Sequence, residues 1–182
     1  TSIEIATPAT KTEYFVGDAA DFADLTIKAN YNNGTSKVLA DGFNVTGFES
    51  DVAGVKTITV EYEGKTVTFT VNVKAIELVS IEVVTTPDKT EYYTNEAFDA
   101  TGLTLKATYN NGAVETITTG FDVATVDMTT AGTKSVAVTY EGMTASFDIT
   151  VTALYITNVE IETLPDKTDY IVGEAEDNTG LT

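Results

Sequence analysis

The side chains best suited to chemistry in this chain are carboxylates that return at a fixed spacing. Asp18 and Asp21 recur as Glu96 and Asp99 and again as Glu174 and Asp177, while Asp24 adds a third acid to the first set alone. Ca²⁺ takes about six to eight oxygen ligands, and a loop can supply them from carboxylates and backbone carbonyls. Asp18, Asp21, Glu96 and Asp99 are therefore the candidate Ca²⁺ ligands, although their spacing fits no EF-hand. The competing expectation is that they are solvated loop charges. Paired acids can also hydrolyse glycosides, but these fall on expected loops and outer faces, with nothing to build a deep cleft. A second chemistry is aromatic. Tyr14-Phe15 and Tyr92-Tyr93 are adjacent pairs, so one ring of each pair can face solvent and offer a sugar platform, though the chain has no Trp.

What is missing narrows the function further. Cys and His are absent, and all ten cationic side chains are Lys. The chain thus has no disulfide or thiolate metal site, no imidazole base and no guanidinium clamp for phosphate or carboxylate. No catalytic residues and no cofactor other than Ca²⁺ are expected. The net charge of −18 repels nucleic acid and anionic membranes. No apolar run approaches the roughly 20 residues that span a bilayer. The chain opens without Met and without a basic or apolar leader, as an internal fragment also would. A hydrophobic fraction of 42% is enough for packed cores and argues against global disorder.

Whole segments of the chain also repeat. Ser2-Ile3-Glu4 returns as Ser80-Ile81-Glu82, Lys11-Thr12-Glu13-Tyr14 as Lys89-Thr90-Glu91-Tyr92, and Tyr31-Asn32-Asn33-Gly34 as Tyr109-Asn110-Asn111-Gly112. Gly42-Phe43, Ala53-Gly54 and Tyr62-Glu63-Gly64 return as Gly120-Phe121, Ala131-Gly132 and Tyr140-Glu141-Gly142, always 78 residues on. One constant period indicates duplicated domains: repeat 1 over 1–76, repeat 2 over 77–154, and the opening of a third over 155–182. The third matches only as far as Gly180-Leu181-Thr182, as truncation of a longer array would produce.

Each repeat reads as strands. Leu25, Ile27, Ala29 and Tyr31 alternate with polar residues, as do Leu103, Leu105, Ala107 and Tyr109, which marks half-buried strands. Tyr31, Tyr62, Tyr109 and Tyr140 have core parity and are expected to be buried. Asn33-Gly34 and Asn111-Gly112 offer two residues tolerant of positive φ, a strong hairpin signal. Ile58, Val60 and Tyr62, a Glu63-Gly64 turn, then Val67 to Val73 form a second hairpin, repeated over Val136–Val151. Phe43, Val45 and Phe48, with Phe121, Val123 and Val126, suggest one more short strand. No 3.6-residue stripe predicts a helix. Six or seven strands in about 78 residues imply two sheets packed face to face. Pro8, Pro87 and Pro165 follow the first strand, where the chain is expected to switch sheets. The linker Val71–Ser80 holds no Gly or Pro, unlike flexible linkers. Ile76, Leu78, Leu154 and Ile156 are expected to pack at the junctions, giving a stiff rod of domains about 30–40 Å long. A Lys–Asn isopeptide staple would need a buried Lys, and Lys28 and Lys106 fall on polar parity.

The phrases LTLKATYNNG and TAGTKSVAVTYEGMTASFDITV, with their first-repeat partners, resemble bacterial Ig-like repeats of the group 3 type, found in Gram-positive surface and secreted proteins. The resemblance covers essentially the whole chain. It implies tandem all-β immunoglobulin-like sandwiches, an extracellular or cell-wall location, and a spacer, adhesion or accessory role without shared catalytic residues. Repeat 1 departs from repeat 2 at Ala23 and Asp24, where repeat 2 has Thr101 and Gly102. The expected function is a non-catalytic spacer or adhesion module acting as a monomeric rod. The alternatives are a module binding cell-wall or host glycan or protein, or accessory domains of a secreted hydrolase. The opening of the third repeat is expected to fray or to lie loosely beyond the second domain.

Overall fold

The computed structural model describes residues 2–182. Seven strands form the first unit: β1 (Ser2–Thr7), β2 (Glu13–Phe15), β3 (Thr26–Asn30), β4 (Ser36–Leu39), β5 (Asn44–Thr46), β6 (Gly54–Tyr62) and β7 (Lys65–Lys74). Seven more form the second: β8 (Leu78–Thr85), β9 (Glu91–Tyr93), β10 (Thr104–Tyr109), β11 (Val114–Ile117), β12 (Asp122–Val123), β13 (Gly132–Tyr140) and β14 (Met143–Thr152). The sheets run β1-β3-β4 against β2-β7-β6-β5, and β11-β10-β8 with β12-β13-β14-β9. The chain is all-β, with no helix among the described residues.

Strand alternation builds each core. In β3, Ile27 and Ala29 point inward while Thr26, Lys28 and Asn30 do not, and in β6 Ile58 and Val60 are wholly buried. Leu105, Ala107, Val136 and Val138 repeat this in the second unit. No polar or charged residue is buried among those described. Lys28 and Lys106 lie on the outer face and pair with Glu4 and Glu82. The four tyrosines with core parity end only half-buried. They sit at strand ends, so their rings can cover the core edge while the hydroxyls reach out; Tyr109 Oη donates to Glu115 Oε2 at 3.0 Å. That bond, which holds the proton, pushes the Tyr109 phenol up to about 12.

The two hairpins use different turns. Glu63 and Gly64 both take positive φ (48° and 72°), as do Glu141 and Gly142 (46° and 83°), which suits the twist of two-residue hairpins. At the Tyr-Asn-Asn-Gly hairpins only the glycine does, with Gly34 at 82°. Asn33 instead uses its side chain, whose Oδ1 accepts from Thr35 N at 3.1 Å, so three residues close the loop rather than two.

Pro8 and Pro87 stand between the first two strands of each unit, where the chain leaves one sheet for the other. The second of these strands is the element the sequence hid. β2 pairs parallel with β7 (Tyr14↔Val73), and β9 with β14 (Tyr92↔Val151). A three-residue strand is too short for periodicity to reveal. Residues 153–182 contain no strand. Val159 and Ile161 are 82% and 65% exposed, whereas their counterparts Ile81 and Val83 pack on the second core. Among the described residues, 153–182 supply no sheet for these side chains to face.

Candidate functional site

Two features could carry function: the acidic loop after β2 and β9, and the junction between the units. The loop is built around a tyrosine. β2 turns Tyr14 inward, where it is 1% exposed. The Tyr14 hydroxyl lies 2.8 Å from Asp21 O and 3.2 Å from Lys11 O, and Asp21 N donates back to it at 3.4 Å. Lys11 Nζ sits 4.5 Å above the Tyr14 ring centroid and 3.0 Å from Asp18 Oδ2. Asp18 Oδ2 also accepts from Phe15 N at 3.1 Å. The second unit repeats the set. Tyr92 Oη meets Asp99 O and Lys89 O, Lys89 lies 4.7 Å over its ring, and Glu96 Oε2 accepts from Lys89 at 3.0 Å and Tyr93 N at 2.8 Å. Even in the third repeat, without a sheet, Tyr170 Oη donates to Asp177 O at 2.8 Å, Lys167 pairs with Glu174, and Lys167 lies 4.9 Å over the ring.

Each candidate acid therefore has an internal partner. The Phe15 amide and then Lys11 hold the Asp18 carboxyl below its ordinary range, and the Tyr93 amide and Lys89 do the same for Glu96. Asp99 Oδ1 accepts from Thr101 Oγ1 at 2.6 Å and Thr101 N at 2.9 Å, which lowers it too, while Asp21 Oδ1 accepts from Ala23 N at 3.4 Å. Charge-assisted bonds of this kind close loops. Among the described residues no group of three or more His, Cys, Asp or Glu side chains is placed to hold a metal ion. The extra acid of the first loop also has a structural partner: Asp24 Oδ2 accepts from Thr10 N at 2.9 Å. In the second unit the acid moves across the loop to Asp88, and its Oδ1 occupies the space of a Cβ on Gly102, 2.2 Å from where that atom would be.

The junction is held by a residue that the sequence presents only as a turn former. Asn110 Nδ2 donates to Ala75 O at 3.0 Å, its Oδ1 accepts from Glu77 N at 3.1 Å, and its backbone N donates to Glu77 O at 3.0 Å. Three bonds thus fix the connection between β7 and β8 onto the second unit. The expected apolar packing is thin at this connection: Ile76 is 44% exposed and Leu78 half-buried, and neither belongs to a core cluster. Backbone groups of an extended linker need partners, and the asparagine amide supplies a donor and an acceptor together. The doubled Asn in Tyr-Asn-Asn-Gly was the available signal, since the hairpin itself uses only the second.

Comparison with known proteins places this architecture. The chain belongs to the bacterial Ig-like domain (group 3) family, whose profile matches residues 7–73 and again 85–151. It is 42% identical over 144 residues to pectate lyase L of Thermoclostridium stercorarium, covering 78% of this chain and 12% of that protein. It is 32% identical over 150 residues to exo-beta-1,6-galactobiohydrolase of Bifidobacterium longum subsp. longum, covering 79% of this chain and 10% of that enzyme. The chain thus spans about a tenth of each of these relatives. Among solved structures, domains 4 and 5 of the S-layer protein SbsC align with a TM-score of 0.36 at 17% identity, covering 84% of this chain and 98% of that one.

Proposed function

We propose that this pair of bacterial Ig-like domains is a non-catalytic spacer and accessory segment of a larger extracellular or cell-surface bacterial protein. The observation that carries the reading is the Asn110 clamp on Ala75 and Glu77. A connection without Gly or Pro, fixed by three hydrogen bonds, passes orientation from one domain to the next instead of decoupling them. The acidic loops serve this role by closing the second-strand crossing of each sandwich, and an exterior carrying −18 net charge keeps a long array hydrated. Two relatives bear enzyme names while the match to this chain covers about a tenth of their length. That supports an accessory position beside a catalytic domain, with the chemistry lying elsewhere in the protein.

Small-angle scattering of the chain with and without Ca²⁺ tests this reading. The expected result is an elongated particle two domains long in both conditions. A compact particle, or a flexible one that stiffens only with Ca²⁺, would contradict a metal-independent spacer and direct attention to Asp18 and Asp21.

A further inference from the structure

We propose that the groove where the second domain runs out into residues 153–157 binds a neutral saccharide. It has a volume of ≈ 320 Å³ and is lined by Tyr93, Thr152, Ala153, Leu154, Tyr155 and Thr157. The fold aims two rings at it. Because Tyr92 faces the core, its neighbour Tyr93 must face outward, and it is 52% exposed. The parallel pairing sets Thr152 opposite Tyr93. Thr94 then holds the departing chain, its N donating to Thr152 O at 2.9 Å and its Oγ1 accepting from Leu154 N at 3.0 Å. Tyr155, just beyond Leu154, also lines the groove and is 73% exposed.

The first domain makes the same sheet without these residues. At the positions of Tyr93, Thr152 and Tyr155 it has Phe15, Lys74 and Glu77, and Lys74 is paired with Glu13. Folding therefore does not require the Tyr, Thr, Tyr set. Exchanging Lys and Glu for Thr and Tyr removes both charges and adds hydroxyls, so that none of the six lining residues is ionised in a chain of net charge −18. The ligand chemistry follows from that change. The faces of a pyranose carry weakly positive C–H groups that pack on the negative faces of aromatic rings. Threonine and tyrosine hydroxyls can donate to or accept from sugar hydroxyls. The volume falls in the range of small-ligand sites, which pair apolar walls with a few polar groups. An acidic sugar would meet no cation in the groove and a repulsive field around it. This inference stands apart from the spacer reading, since a rigid or a flexible junction could carry the groove.

Affinity electrophoresis of the whole chain tests it, in native gels cast with arabinogalactan, β-glucan, xylan or polygalacturonate. Retardation by at least one of the neutral polysaccharides and none by polygalacturonate is expected. Tyr155→Ala should weaken that retardation about tenfold or more, as loss of an aromatic anchor does. Tyr155→Phe should keep most of it, and both variants should melt with the parent because the ring is exposed. The proposal is overturned if no neutral polysaccharide retards the chain, if polygalacturonate retards it equally, or if Tyr155→Ala binds as the parent does. The last result would leave the groove as part of a domain junction only.

Discussion

Removing one oxygen atom from Tyr92 should destabilise the second domain alone. Tyr92→Phe keeps the ring that packs on Phe98 at a centroid distance of 5.9 Å, so no cavity forms. It strands the three backbone groups gathered by the hydroxyl: Lys89 O at 3.0 Å, Asp99 O at 3.1 Å and Asp99 N, which donates at 3.2 Å. Unpaired buried groups cost about 1–3 kcal/mol, and because these bonds are only partly buried the loss falls at the lower end, about 1–2 kcal/mol. In a domain of this size each kcal/mol lowers the melting temperature by about 4–8 °C, so the second-domain transition should fall by roughly 5–15 °C. Differential scanning calorimetry at neutral pH reads this directly, and Tyr14→Phe should move the other transition by a similar amount. Tyr170→Phe is the control: its hydroxyl makes the same bonds to Asp177, but the ring is 40% exposed and packs on no sheet. A shift below about 2 °C for Tyr92→Phe would show that water replaces the hydroxyl at little cost and that these bonds do not hold the domain together.

Two further substitutions probe other parts of the fold. Gly47→Ala should lower the first-domain transition and spare the second. Its φ is +91°, and an added Cβ would lie 2.4 Å from the carbonyl oxygen of Thr57 in β6, so a cost above about 1 kcal/mol is expected; an unmoved transition would show that the segment is free to shift away. Asp18→Asn tests the loop electrostatics through pH. The folded state depresses the Asp18 carboxyl through the Phe15 amide and Lys11, so its contribution is present above its unfolded pKa of about 3.9 and is lost as pH falls through the lower folded value. Melting curves should therefore separate wild type from variant near neutrality and converge in strong acid, and a gap independent of pH would contradict the ion pair.

The architecture was legible because it rests on period-two patterning repeated 78 residues apart. Leu25, Ile27 and Ala29 against Thr26 and Lys28 leave one way to face a core. β2 and β9 were not legible, because three residues carry no period and their parallel partners lie far along the chain. Asp18 and Asp21 recur in the sequence as Glu96 and Asp99. Sequence alone did not reveal that Lys11, Lys89 and nearby amides would be their partners, since those contacts depend on how the loop folds over Tyr14 and Tyr92. The hydrogen bonds at the junction were not legible for a related reason. Ile76 looks like a packing residue and Leu78 another, yet the first is 44% exposed and the second only half-buried, while Asn110, in a turn-forming motif, makes the contacts. Side-chain bonds to the backbone of another segment leave no periodic trace.

Asn110 fixes the second domain to the connection leaving the first. The chain has no cysteine, so spin labels can be placed uniquely at Val38→Cys and Val114→Cys, positions 60% and 58% exposed on β4 and β11. Pulsed electron–electron distance measurement should give one narrow distribution that broadens when Asn110→Ala is added. A broad distribution in the parent chain, or a narrow one unaffected by Asn110→Ala, would show that Asn110 does not fix the two domains.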